Sequence, residues 1–164
     1  MDEEENGELK DPHYYRGLFI SKFSMVELFM DAAICFYFTR DEEMAKDLIF
    51  MVINRLTFES KRTAFKAILE KISIADGFKK TKNNKWPYSE LLNEIRLLND
   101  HRIYFAHYAI FGGKSTDENV IELMEYRDQK KRIIYSKAEY YKLIKRLGNV
   151  ISQVMKIQTE KFNR

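Results

Sequence analysis

Cysteine, proline, glycine and tryptophan are all scarce in this chain of 164 residues. Cys35 is the only cysteine, so no internal disulfide can form and a zinc site built on cysteine thiolates is excluded. It lies in the apolar run from Ala32 to Phe38, which predicts a buried, unreactive thiol. Only 2 prolines and 6 glycines occur. Turn chemistry is therefore thin, and long unbroken periodic runs point to helices. No stretch approaches the ~20 apolar residues of a membrane span. The acidic start carries the wrong charge for a signal peptide. No membrane association and a cytoplasmic location are the expectations that follow. The sequence also lacks a glycine-rich phosphate loop, a glycine-rich nucleophile turn and an internal repeat. No compact carboxylate cluster suggests a divalent ion, so neither metal nor cofactor is expected.

Aromatic and charged residues, by contrast, are abundant. An apolar content of 45%, with 12 Phe and 10 Tyr, excludes a disordered protein and allows a real core. The net charge of +3 is uneven. The first ten residues carry Asp2, Glu3, Glu4, Glu5 and Glu8 against Lys10, a net of −4, which leaves +7 on the remainder. Residues 1–12 are read as a disordered acidic tail, and residues 13–164 as a single helical domain. A moderately basic domain tolerates an anionic partner such as RNA without demanding one.

The fold class expected is mainly α, an up-and-down helical bundle of about five helices with a small β-hairpin before the last. Residues 14–39 form the first helix, with Phe19, Phe23, Val26, Met30, Ala33 and Tyr37 on one apolar stripe. Glu27 and Asp31 flank that stripe one turn apart. Either both face water, or one reaches inward to meet a buried cation. Asp41 starts a second helix over 41–55. Thr57 or Ser60 caps a third over 58–75, which carries Phe65, Ile68, Leu69 and Ile72.

Gly77 ends the third helix and Pro87 opens the fourth, which runs over 87–111 and ends at Gly112-Gly113. The loop between them holds Lys79, Lys80, Lys82 and Lys85 with Phe78 and Trp86. Basic and aromatic residues together can contact a nucleic-acid strand; the plainer reading is a solvated loop with Trp86 packed as a lid. Segments 119–126 and 131–135 form a hairpin around a turn at 127–130. Ser136 then caps the final helix to about residue 161, with Glu139 completing a capping box.

The fourth helix carries the sharpest chemical suggestion. Arg102 and His107 are separated by four residues. An arginine keeps its charge at any biological pH, and a histidine changes protonation near pH 7. At about 100° per residue, Leu91, Ile95, Leu98, Phe105 and Ala109 share a face, and Arg102 falls near its middle. A permanent charge there must find a carboxylate, carbonyl groups, a wet crevice or an anion. Pairing with Glu27 or Asp31 is the structural alternative. His107 lies about 140° round from Arg102, so both can border one groove. Asp100, Tyr104 and His107 form a neighbouring stripe, on which Asp100 or Tyr104 can orient the imidazole.

The segment from Leu91 to His107 resembles the signature helix of the HEPN superfamily (higher eukaryotes and prokaryotes nucleotide-binding). That family is marked by Arg, four to six residues, then His, on a late helix of a small bundle. Arg102 and His107 match with four intervening residues, and Ala106-His107 matches a common ending. The order of elements over roughly residues 14–160 fits as well. The resemblance implies a homodimer through the motif helix that acts as a metal-independent endoribonuclease, with Arg102 and His107 catalytic. Asn99, Asp100 and Tyr104 would position the substrate, which would be RNA or a nucleotide. It also implies a toxin or phage-defence role, with an antitoxin protein as a partner. Ile103 stands where nuclease members commonly carry Asn or another polar residue, and some members bind without cutting. A non-catalytic dimerisation or binding module, with a structural or anion-binding Arg102, is the second expectation.

Overall fold

Among the described residues, five α-helices and a three-stranded antiparallel sheet just before the last of them make the protein mainly helical. The structure, a computed structural model, describes residues 11–110, 120–128 and 131–162. Helix α1 spans Pro12–Phe38. It starts two residues ahead of the expected 14, because Asp11 accepts from the His13 N–H at 2.9 Å and Pro12 suits the first helical position. The first ten residues of the expected acidic tail lie outside the described residues.

Asp41 caps α2 (Glu42–Met51) by accepting from the Met44 N–H at 2.8 Å. The expected helix to residue 55 instead stops at Met51, and Ile53–Arg55 tighten into a single 3-10 turn. Two β-branched residues in succession, Val52 and Ile53, favour that break. Thr57 caps α3 (Phe58–Ala75) through the Ser60 N–H at 3.2 Å. Gly77 ends it at φ +92°. The Phe78 N–H then reaches the Ser73 carbonyl at 2.9 Å and the Gly77 N–H reaches that of Ile74 at 3.0 Å, which satisfies two otherwise orphaned carbonyls.

Helix α4 spans Ser89–His107, shorter than the expected 87–111. Pro87 lies in the turn before it, and Ala109–Ile110 form strand β1 instead of a last helical turn. Those residues pair with Met124 and Leu123 of β2 (Val120–Met124), so the expected hairpin gains a third strand. The expected stop at Gly112-Gly113 lies outside the described residues. Strand β2 pairs with β3 (Arg132–Ser136), placing Ile121 opposite Tyr135 and Leu123 opposite Ile133 on the inward face. Ser136 caps α5 (Lys137–Phe162): its N–H donates to Glu139 Oε2 at 2.8 Å, and the Glu139 N–H returns to Ser136 Oγ at 3.3 Å.

The chain divides into two compact units, Met1–Phe23 with Leu98–Gly148, and Ser24–Leu97 with Asn149–Arg164. The first unit is cored by aromatics. Phe105 is wholly buried, with its ring centroid 4.8 Å from Phe19, 5.1 Å from Tyr135 and 6.1 Å from Tyr140. The Tyr140 hydroxyl donates to the Tyr15 carbonyl at 2.9 Å, so this buried phenol is satisfied. The second unit is cored mostly by aliphatic and sulfur side chains, among them Val26, Met30, Ile68, Leu69, Ile95 and Val154, together with Phe65, and Cys35 is buried as well.

A charge cluster also lies inside the second unit. The Lys61 ammonium, only 5% exposed, sits 2.7 Å from Glu27 Oε1 and 2.7 Å from Asp31 Oδ2. Glu27 and Asp31 therefore do meet an inward cation, and it is Lys61 rather than Arg102. Lys61 lies one turn before Phe65 on the apolar stripe of α3, so a charge stands where the pattern asks for an apolar residue. Burial works to lower the Lys61 pKa, but the hydrogen bonds its ammonium donates to Asp31 and Glu27, with their negative charge, outweigh it and hold the pKa above the ordinary 10.5. Burial raises the Asp31 carboxyl against the pull of Lys61. Both shifts favour bound protons, for Asp31 chiefly through burial and for Lys61 through its two carboxylate partners.

Lys61→Met should destabilise the protein by about 3–5 kcal/mol, because it strands two carboxylates in the core. A raised folded-state pKa means the stability from Lys61 is fully present below 10.5 and is lost as pH rises through the higher folded value. The gap between wild type and Lys61→Met in urea unfolding should therefore hold steady up to about pH 10 and narrow only as the pH rises beyond 10.5. A gap that stays constant would show that the ammonium contributes no net stabilising charge.

Candidate functional site

The buried side of α4 changes along its length. Leu91, Leu92, Ile95 and Asn99 centre on one direction, whereas Leu98 and Phe105 centre roughly 90° round the helix. By the same rotation Arg102 falls between the two directions, at their border. This corrects the expectation of a guanidinium embedded in the apolar face. The Arg102 side chain is only half-buried. Among the described residues it makes no ion pair or hydrogen bond.

His107, the last residue of α4, is exposed and likewise has no hydrogen-bond partner among the described residues. Five residues of helix put it about 7.5 Å further along the axis than Arg102. Ile103, 38% exposed, and Ala106, also exposed, lie between them. One turn before Arg102 comes Asn99, only 7% exposed, whose Oδ1 is buried with no partner among the described residues. That atom is an acceptor waiting for a donor.

Of the other residues expected here, Asp100 is half-buried. Tyr104 is half-buried with its ring 6.1 Å from His101 and 5.2 Å from Tyr108. It belongs to an aromatic row on the flank of the helix. The structure thus brings Asn99, Arg102 and His107 onto one strip of α4, and sets Asp100 and Tyr104 beside it.

Two polar contacts that sequence reasoning missed hold this strip in place. His101 Nδ1 lies 2.7 Å from the Tyr135 hydroxyl. Burial pushes the Tyr135 phenol above its ordinary value, so it keeps its proton and can donate to Nδ1, leaving the ring hydrogen on Nε2. Arg16 of α1 donates from Nη2 to the Tyr108 carbonyl, just past the C-terminal end of α4. Carbonyls there lack helical partners and attract cations. Burial lowers the Arg16 pKa, and its Nε is buried with no partner among the described residues. Arg16 is therefore the cation that the first unit holds within its packing. The available signal was an arginine between Tyr15 and Phe19 on an aromatic stripe.

Among the described residues, no group of three or more His, Cys, Asp or Glu side chains is placed to hold a metal ion. The strip can instead bind an anion through Arg102 and exchange a proton through His107. No protein-family model, curated protein or solved structure matches this chain.

Tyr135→Phe tests the brace directly. Loss of one part-buried hydrogen bond should cost about 1 kcal/mol in urea unfolding. The ring nitrogen resonances of His101 should shift as its tautomer is released. Unchanged stability and an unchanged ring would mean the contact does not orient α4.

Proposed function

We propose that this protein is a HEPN-like, RNA-directed protein that cleaves its substrate without a metal ion, as a homodimer joined through α4. The observation that carries this reading is the strip itself: half-buried Arg102 and exposed His107 border one stretch of the α4 surface, neither engaged by a described residue, with exposed Ile103 and Ala106 between them. Two such strips facing each other would supply two cations and two imidazoles to one phosphodiester. One imidazole removes the proton from the RNA 2′-hydroxyl, whose oxygen attacks phosphorus. The other protonates the departing 5′-oxygen. The products are a 2′,3′-cyclic phosphate and a 5′-hydroxyl, so no water or metal enters the step. Arg102 binds the phosphate by a bidentate fork and stabilises the charge that builds as the bond forms. The Asn99 amide is a positioning group on the same strip. An activity of this kind fits a toxin or defence protein in the cytoplasm, restrained by an antitoxin protein.

Ile103 favours a second reading. It is an apolar side chain, 38% exposed, between the two chemical groups, and it offers nothing to a transition state. A non-catalytic dimeric module that binds a nucleotide through Arg102 would use such a residue for contact alone.

Incubating RNA with the protein in EDTA separates the two. Wild type should cut, and His107→Ala should lose about 10²–10⁴-fold in rate with its helical circular dichroism intact. Arg102→Ala should fall comparably. Equal cleavage by wild type and His107→Ala, or none by either, removes the nuclease. Nucleotide-dependent thermal stabilisation of wild type that is absent in Arg102→Ala would then leave the binding module standing.

A further inference from the structure

We infer that the loop joining α3 to α4 and the cleft beneath it form a second surface that binds single-stranded RNA, with a base stacked on Trp86 and phosphates on the loop lysines. All of it lies in the second unit, on residues that the α4 strip does not use.

The loop is built to present charge. Asn84 staples it: Oδ1 accepts from the Thr81 N–H at 2.7 Å, Nδ2 donates to the Lys79 carbonyl at 2.8 Å, and the Asn84 carbonyl accepts from Lys80 Nζ. Lys79, Lys82 and Lys85 are exposed, and their ammonium groups have no ion-pair partner among the described residues. Asp76, the loop's one carboxylate, is already taken by Lys161 at 2.6 Å. Four lysines therefore stand within seven residues without local neutralisation.

Below them is a cleft of about 230 Å³, walled by Trp86 with Arg62 and Lys66 of α3 and Asn93 and Arg96 of α4. Trp86 is half-buried and braced by Phe78 at 5.3 Å between ring centroids, so part of the indole remains accessible. Glu70 is the one acidic residue in the lining and lies 3.8 Å from Lys66, while Arg62 is held by Glu59 at 2.7 Å. Positive charge remains in excess.

A flat aromatic ring flanked by guanidinium planes and a rim of free ammonium groups suits unstacked bases on a phosphate chain. A duplex hides its base faces and gives Trp86 nothing to stack on. An acidic peptide or an anionic membrane would use the lysines but not the indole. The tryptophan is the only one in the chain, so its fluorescence reports this cleft alone.

The full-length His107→Ala protein, which spares the probe from cleavage, is titrated with oligouridylate at low salt while Trp86 emission is followed. Saturable quenching is expected. The Lys79→Glu/Lys82→Glu/Lys85→Glu variant, altered only at exposed positions, should bind at least about tenfold more weakly. Its salt dependence should flatten by about two units of slope. Trp86→Leu, followed by anisotropy of a labelled strand, should weaken binding about tenfold with an unchanged slope. Trp86→Phe should restore most of that loss. The idea is overturned by no saturable quenching, by equal affinity for polyglutamate, phosphatidylserine vesicles or duplex RNA, or by lysine reversals that leave affinity unchanged. Binding here with no cleavage by wild type sinks the nuclease alone; cleavage without quenching sinks this surface alone.

Discussion

With its ring packed against Phe19, Tyr135 and Tyr140, Phe105 joins α4 to three other elements and fixes the rotation of the helix about its own axis. A helix rotated in this way has no further freedom at 100° per residue. Once Phe105 and Leu98 point inward, Ile103, Ala106 and His107 face away from the core and Arg102 falls at its border. The His101–Tyr135 hydrogen bond and the Arg16 contact to the Tyr108 carbonyl act on the same rotation, one on each side of Phe105 in sequence. The exposure of the chemical strip is thus a consequence of aromatic packing. A smaller residue at 105 would be felt at the strip before it altered any group on it, because a rigid helix transmits rotation along its length.

The two inward cations illustrate how differently burial can be met. Lys61 carries a compact ammonium between two carboxylates, and the pair geometry compensates the lost hydration. Arg16 meets a carbonyl rather than a carboxylate, which suits a delocalised ion whose hydration is weaker to begin with. Exchanging the two residue types would fail at both places. An ammonium beside the Tyr108 carbonyl would lack the fork that reaches it. A guanidinium between Glu27 and Asp31 would need more room than a well-packed helix pair leaves.

The helices themselves were legible in the sequence because their ends are written in local chemistry. Asp41, Thr57, Gly77 and the Ser136/Glu139 box each act within a few residues, and the structure uses all of them. The errors arose where distant partners decide. Residues 108–111 continue the helical pattern of α4, yet Ala109 and Ile110 gain ladder bonds to β2 that no local rule could reveal. Arg102 was misplaced because a straight periodic face was assumed, whereas the packing of α4 changes side near Leu98. Glu27 and Asp31 were recognised as candidates for an inward pair, but their partner depended on α3. Lys61 gave the same kind of signal as Arg102, a charge on an apolar stripe, and went unread because no motif drew the eye to it. The positions of Asn99, Arg102 and His107 on one helix needed only spacing; the exposure of the last two needed the fold.

On the proposed reading, the strip and the loop surface do different physical jobs. Contacts between lysines and phosphates, and between Trp86 and a base, are the same before and during bond breaking. They raise occupancy without lowering the barrier. Only groups whose partners change charge along the reaction can raise the rate, and those are the imidazole that moves a proton and the guanidinium that meets a more highly charged phosphate. Ile103 can do neither. Its exposure between Arg102 and His107 implies that whatever orders the substrate there does so by excluding water rather than by bonding to it. That arrangement strengthens the pull of Arg102 on a phosphate, since an apolar neighbour lowers the local dielectric around the pair. An isoleucine is therefore compatible with chemistry at this strip as well as with simple binding, and it is the change in charge at phosphorus that separates the two.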